Sequence, residues 1–284
     1  MKLRIAFDGR VISKGKTGIG VYAENLLKAL KEVDKNNLYE VFSNDSFPLE
    51  SPRFKSVITK FSLEDHPAGD IWEQFYLPVY LNKKGIDVFH SPTFHIPFFL
   101  KGFKKVVTIH DLVSFHYPET LSKKFSVYCR FMIKRAVNSV DAIIVPSFFV
   151  KSELVDLLNV DERLIYVIPY AQREIFRNIN DYVVKSEIKN RYGLTDNFIL
   201  FIGTIEPRKN ISGLIRAYSI LRKKDSIRQK LVICGSDGWL NEKKRILKII
   251  GEAGFKRVKQ FSWEKAALET VKVYWDVYKG RKNP

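Results

Sequence analysis

The chain has 284 residues, a hydrophobic content of 45% with 13% aromatics, and a formal net charge of +17. That composition forms a core and excludes a disordered chain, and the length is enough for two domains of roughly 100–200 residues each. Its two cysteines, Cys129 and Cys234, exclude a disulfide framework and a metal-type Cys pair, which fits a reducing compartment. Met1 leads straight into a strand-like segment, which predicts no signal peptide ahead of the fold. No apolar run approaches the roughly 18 residues of a spanning helix. The charge is uneven: Leu221 to Pro284 hold 17 Lys+Arg against 7 Asp+Glu, +10 of the total. Nucleic acid, an anionic membrane face and a phosphorylated small molecule all suit such a surface, as does plain solvation. Nucleic acid is the weakest of these, because no reading module and no aromatic–basic interleave on one element is present.

In chain order, residues 3–8 form a short apolar strand ending at Asp8-Gly9-Arg10, followed by a loop rich in Gly, Lys and Ser (Ser13 to Gly20) and a helix from Val21 to Val33. Strand, Gly-rich loop and helix open a doubly wound α/β domain, and the Gly18/Gly20 pair lets backbone approach a phosphate. A flexible β–α connection is the other reading of the same fragment. Strands are predicted at 39–43 and 56–62, a helix from Ile71 to Lys83 that is interrupted or ended near Pro78, and a strand over Gly85 to His90. Ser91 to Phe103 is a loop dense in aromatics and proline; it either docks an apolar partner or a bilayer interface, or packs under a neighbouring helix.

Lys105 to Leu112 reads as a strand that delivers His110 and Asp111 to its carboxyl end, a place for acid–base work or for hydrogen bonds to hydroxyls, with a structural pair as the alternative. A helix over Ser122 to Val137, a strand over Asp141 to Val145, a helix through Lys151 and Leu154 and a strand over Leu164 to Ile168 complete this half. Alternating strands and helices argue for a mainly parallel sheet. Periodicity weakens from Pro169 to Asp181, a linker. A helix over 183–192 and a strand over 197–202 then open a second unit. The strand ends at Gly203 and is followed by Arg208 and Lys209, with Asn210 as N-cap of a helix from Ile211 to Lys224. Two cations at a helix N-terminus, at the carboxyl end of a strand, make an anion site or an ordinary basic loop. After a strand over Lys230 to Cys234 the alternation stops: a helix is predicted over Glu242 to Ile250, and another leads from Phe261-Ser262-Trp263-Glu264 to Tyr278.

Taken in order, Thr17-Gly18-Ile19-Gly20-Val21-Tyr22, His90-Ser91-Pro92, Thr108-Ile109-His110-Asp111, Val145-Pro146-Ser147 with Lys151, Gly203 to Asn210 and the Phe261 to Ala267 stretch resemble the GT-B glycosyltransferases of family 4. The resemblance implies two Rossmann-like domains: residues 1–175 on the acceptor side, residues 176–260 a shortened donor-binding domain, and residues 261–284 a terminal helix returning toward the first. It implies retaining transfer of a mannose- or glucose-type sugar from a nucleotide-sugar to a glycan or lipid-linked acceptor, with polysaccharide biosynthesis at the cytoplasmic face of a membrane as the setting. Gly18 and Gly20 would approach the donor diphosphate from one side, and Arg208 and Lys209, just past Gly203, would clamp it from the other. His110 would touch the transferred sugar as the catalytic residue, with Asp111 and Ser147 on the acceptor side. No metal and no cofactor is implied, because the basic pair takes up the charge. In one respect the chain departs from the pattern: no strand–loop–helix after Cys234 carries the family's paired glutamates, which places an internal deletion near 241–255 and an incomplete second domain. A non-catalytic remnant that binds an acceptor or a protein partner is therefore the alternative function.

Overall fold

The computed structural model describes residues 1–12, 18–44, 51–61, 68–98, 102–172, 181–194, 197–235 and 262–283. The chain divides into two compact units, Met1–Arg173 with Phe261–Pro284, and Glu174–Gln260.

The first unit is built on seven parallel strands, β1 (Arg4–Asp8), β2 (Leu38–Ser43), β3 (Phe54–Ile58), β4 (Val88–Ser91), β5 (Lys104–Thr108), β6 (Ala142–Val145) and β7 (Ile165–Val167). Their order is β3-β2-β1-β4-β5-β6-β7, so the winding reverses between β1 and β4. Strands β4 and β6 are buried throughout, as a parallel sheet covered on both faces requires. One cover is α1 (Gly18–Val33) packed on α9 (Trp263–Tyr278). Tyr22, Leu26, Leu27 and Leu30 of α1 and Ala266, Ala267, Thr270, Val273 and Val277 of α9 recur at helical spacing and are buried together against Ile5, Phe7, Val106 and Ile144. Full burial of each large side chain there contributes roughly 1.5–3 kcal/mol. Helix α9 starts sharply because Ser262 accepts a hydrogen bond from the Lys265 amide at 3.1 Å.

The opposite face is covered by the helices α2 (Ala68–Ile71) and α3 (Leu77–Lys83), with α4 (Val113–His116), α5 (Lys123–Val137) and α6 (Phe148–Leu158) following β5 and β6. The helix expected from Ile71 to Lys83, interrupted or ended near Pro78, does not end there but is interrupted just ahead of it: α2 runs into α3 through a widened π-turn, Trp72–Tyr76. Proline cannot donate to the carbonyl four residues back, and its ring would strike it. The turn that closes instead from the Leu77 amide onto the Trp72 carbonyl makes room. Strand β3 begins two residues earlier than expected and ends at Ile58.

The aromatic loop after β4 is settled in favour of packing for its described part. Ile96 is fully buried, Phe94 and Phe98 lie against the core, and Arg135 stacks over Phe98 at 4.7 Å. Its backbone is held by Gln74, whose side chain donates to the Ile96 carbonyl and accepts from the Phe98 amide, both at 2.9 Å. Phe99 to Lys101 lie outside the described residues.

In the second unit, α7 (Tyr182–Tyr192) precedes β8 (Phe198–Ile202), α8 (Ile211–Lys223) and β9 (Lys230–Cys234). β8 and β9 pair in parallel as the two described strands of this unit. Neither α7 nor α8 buries a residue fully, and Ile220 is 55% exposed. Among the described residues, two strands give the amphipathic α8 too little apolar surface to cover. The helix expected over Glu242 to Ile250 and the junction near 241–255 lie outside the described residues. Cys129 and Cys234 are buried free thiols. No described helix is long and apolar enough to cross a membrane.

Candidate functional site

In an open parallel sheet, ligands lie beyond the carboxyl ends of the strands where the winding reverses. In the first unit that edge carries Asp8 at the end of β1, Pro92 after β4, His110 and Asp111 after β5, Ser147 after β6 and Tyr170 after β7. The loop residues Ser13 to Thr17, ahead of Gly18, lie outside the described residues.

His110 is held at both ring nitrogens. Nε2 lies 2.8 Å from the Pro92 carbonyl oxygen, which can only accept, so Nε2 carries the proton. Nδ1 is then the acceptor, and the Tyr170 hydroxyl donates to it at 2.6 Å. Burial pushes the His110 imidazole below the ordinary histidine value, against the Pro92 carbonyl and the Asp111 carboxylate, which favour the charged form. Burial likewise raises the Tyr170 phenol well above its usual range, so it stays a donor. Tyr22, in the second turn of α1, stands edge-on to His110 with centroids 5.0 Å apart. Tyr170 lies 4.5 Å from the Tyr22 ring and stacks parallel to Trp263, the first residue of α9. The indole Nε1 of Trp263 is buried without a hydrogen-bond partner among the described residues, a donor open to a polar atom reaching this cluster.

Beneath the site runs a buried polar chain. His90 Nδ1 meets the Tyr274 hydroxyl at 2.5 Å, His90 Nε2 meets Thr108 Oγ1 at 3.0 Å, and Thr108 Oγ1 meets the Tyr22 hydroxyl at 3.1 Å. Burial pushes His90 down to about 3, so it is neutral. This chain ties α9, β4, β5 and α1 together under the His110 cluster. On the other side of β1, Arg10 is buried between Asp8, which accepts at 2.8 and 2.7 Å, and Glu73, which accepts at 2.8 Å. Its guanidinium lies over the Trp72 ring at 4.7 Å. The π-turn thus supplies the acid and the ring that fix the segment leading into the Gly-rich loop.

The residues singled out from the sequence have distinct surroundings. Gly18 opens α1 with no described residue within 4 Å of where a side chain would begin, whereas a Cβ on Gly20 would lie 2.6 Å from the Val11 carbonyl oxygen. Gly20 therefore has a packing reason of its own. Asp111 is exposed and accepts from the Val113 amide at 3.1 Å. Ser147 caps α6 by accepting from the Val150 amide at 3.3 Å. In the second unit, Gly203 follows β8 and its amide donates to the Cys234 carbonyl at 2.9 Å. Arg208 is bound through Nη2 and Nε to Oε1 of the buried Glu206, at 2.6 and 3.0 Å. Lys209 is exposed and makes no ion pair among the described residues. Asn210 caps α8 from a left-handed conformation (φ 49°), accepting from the Gly213 amide at 3.2 Å.

The sequence profile of Glycosyltransferase Family 4 matches residues 16–171, more than half of the chain. The chain belongs to glycosyltransferase family 4. A second profile, Glycosyl transferases group 1, matches residues 184–282. Among similar proteins, the Escherichia coli O-antigen chain mannosyltransferase B is 26% identical over 264 residues, covering 84% of this chain. The family 4 chain spans only 65% of that relative's length. The E. coli serotype-specific mannosyltransferase WbdA is 34% identical over 134 residues, 46% of this chain and 16% of the relative. Of solved structures, Anabaena Alr3699/HepE in complex with UDP-glucose superposes with a TM-score of 0.56 at 16% identity, over 91% of this chain and 65% of that one. WaaG, a glycosyltransferase involved in lipopolysaccharide biosynthesis, gives 0.55 at 11% identity, over 94% and 68%. These likenesses show the α/β fold of the GT-B glycosyltransferases.

Sequence reasoning located His110 and missed what holds it. Tyr22 stood in a quoted motif without a role, and Tyr170 fell in the stretch read as linker. Glu206 was passed over beside the two cations. A Glu two residues ahead of an Arg across a proline turn, Glu206-Pro207-Arg208, is the signal in the sequence that points to the pair.

Proposed function

We propose that this chain transfers a mannose- or glucose-type sugar from a nucleotide-sugar to a glycan or lipid-linked acceptor, with retention of configuration, at the cytoplasmic face of a membrane. The observation that carries the reading is the loop after β8. Buried Glu206 fixes the Arg208 guanidinium, Lys209 is exposed and makes no ion pair among the described residues, and both sit just ahead of the capped N-terminus of α8. A nucleoside diphosphate gains negative charge as it leaves, and cations and amides already in place stabilise that charge without reorganising. In this reading the two cations take the role a metal has elsewhere, Gly203 leaves room beside them, and Gly18 and Gly20 present the α1 backbone to phosphate. His110 touches the transferred sugar, with Asp111 and Ser147 toward the acceptor. The mannosyltransferase names of the E. coli relatives and the UDP-glucose in the Anabaena structure support it.

One observation favours a second reading, a non-catalytic remnant that binds an acceptor or a protein partner: the described helices of the second unit leave apolar side chains exposed beside its two described strands. Thermal melting with a panel of nucleoside diphosphates and nucleotide-sugars separates the two. A ligand at a hundred times its Kd adds about 2.7 kcal/mol. A shift with one nucleotide that disappears in Lys209→Ala supports transfer. Cooperative melting with no shift for any of them sinks it and leaves the remnant.

A further inference from the structure

Glu206 puts a negative charge where a diphosphate site needs positive ones. Its side chain is only 5% exposed, and both bonds from the Arg208 guanidinium end on its Oε1. Burying a carboxylate costs free energy unless it is paired, and beside a phosphate it also repels. It cancels half of the charge of the basic pair: two cations less one acid leave a local sum of +1. An acid kept at such a place has a use other than charge.

The geometry of the turn supplies one. The Lys209 amide donates to the Glu206 carbonyl at 3.0 Å across the turn Pro207–Lys209, so the acid and both cations belong to one short turn. Glu206 takes the Nε–Nη2 edge of the planar guanidinium. A phosphate held by two parallel bonds must then use the Nη1–Nη2 edge. Lys209 is a point charge on a flexible stem and needs no such orientation; its Cε lies 4.0 Å from where a Gly203 side chain would begin, at the end of β8. We propose that Glu206 is a positioning residue: it gives up local positive charge and in return holds Arg208 in the orientation that offers a two-bond edge to a diphosphate. The proposal rests on the reading of this loop as a diphosphate clamp.

Calorimetric titration of the full chain with UDP, GDP and inorganic pyrophosphate, each nucleotide beside its uncharged nucleoside, tests it. By charge alone, Glu206→Gln raises the local sum to +2 and tightens binding. Positioning has the opposite sign: Glu206→Gln should weaken diphosphate binding about tenfold, 1.4 kcal/mol, and leave nucleoside binding unchanged. In an Arg208→Lys background the sign should reverse. A single ammonium has no second edge to present, so Glu206 only quenches it, and Glu206→Gln should tighten binding there. A merely structural Glu206 gives no such reversal, because its loss loosens the turn in both backgrounds. Equal or tighter binding by Glu206→Gln in the Arg208 chain overturns the inference, as does the absence of a reversal in the Arg208→Lys background; the clamp itself stands as long as Lys209→Ala still loses the diphosphate. A parent that binds none of the three ligands, or binds them equally well after Lys209→Ala, overturns the clamp and the inference with it.

Discussion

The Tyr170 hydroxyl occupies Nδ1 of His110, the one acceptor nitrogen of that imidazole. A sugar hydroxyl can take that nitrogen only if Tyr170 gives way. Tyr170→Phe keeps the ring contacts with Tyr22 and Trp263 and removes the donor. The hydrogen bond favours the neutral imidazole, so its loss should raise the His110 titration midpoint toward the unperturbed value near 6.5. Stability should fall by about 1 kcal/mol, a net hydrogen bond's worth. Imidazole nitrogen shifts followed against pH report the midpoint, and an unmoved midpoint would show that the Tyr170 hydrogen bond does not hold the imidazole neutral.

Acid should destabilise the first unit through two buried histidines. His90 and His110 both have folded values below the unfolded one near 6.5. The unfolded state therefore binds more protons as pH falls below 6.5, and stability falls with it. Their contribution is fully present above pH 7 and is lost progressively toward about 3 for His90. Each histidine contributes a slope of up to about 1.4 kcal/mol per pH unit in that window. Denaturant unfolding at pH 8, 6 and 5 measures the slope, and His90→Gln should flatten it by up to half. A slope unchanged by that substitution argues against His90 as a source.

Much of this architecture is legible in the chain because parallel strands buried on both faces read as unbroken apolar runs; β6, β8 and β9 lie within a residue of the expected ends, whereas β5 stops at Thr108, four residues short of the expected Leu112. The π-turn was not, because Pro78 signals a helix problem without saying how backbone solves it. The site was half legible. His110 stands beside Asp111 in a recognisable stretch, but its partners Pro92, Tyr170 and Tyr22 come from three other segments, and only the fold brings them together. Gly20 shows the converse: a glycine placed by motif as a phosphate contact has a carbonyl pressed against it.

Gly18 and Gly20 should consequently separate. Gly20→Ala drives a methyl against the Val11 carbonyl and should cost about 1–3 kcal/mol, as overpacking does. Gly18→Ala meets no described residue and should leave stability within about 1 kcal/mol of the parent, with a helix-propensity gain as the largest effect. If Gly18 approaches a phosphate, its substitution should still weaken nucleotide binding tenfold or more, roughly 1.4 kcal/mol. Comparing melting temperatures with nucleotide titrations of both variants checks this, and equal destabilisation by the two would contradict it.

The Asp8–Arg10–Glu73 cluster should be a stability element of the first unit. Glu73→Ala leaves the buried Arg10 guanidinium with one acid where it had two, and breaking a buried ion pair costs about 3–5 kcal/mol. The loss should shift the denaturant midpoint without changing the slope. A midpoint within experimental error of the parent would mean that water replaces Glu73 and the site is wetter than its burial implies.

The second unit should answer to its own glycine. A Cβ on Gly235, just past β9, would overlap the Gly203 carbonyl oxygen, so Gly235→Ala must push the ends of β8 and β9 apart. Among the described residues of this unit the two strands are covered only by sparsely buried helices, and such regions open locally at low free energy. Amide exchange should therefore accelerate across Phe198–Ile202 and Lys230–Cys234, while β1, β4 and β5 keep the parent's protection. Nucleotide binding, if carried by Arg208 and Lys209, should be lost in parallel. Hydrogen exchange read by mass spectrometry gives both arms at once. Faster exchange in β1, β4 and β5 as well would mean that the two units unfold as one, and that the thin second sheet draws its stability from the first.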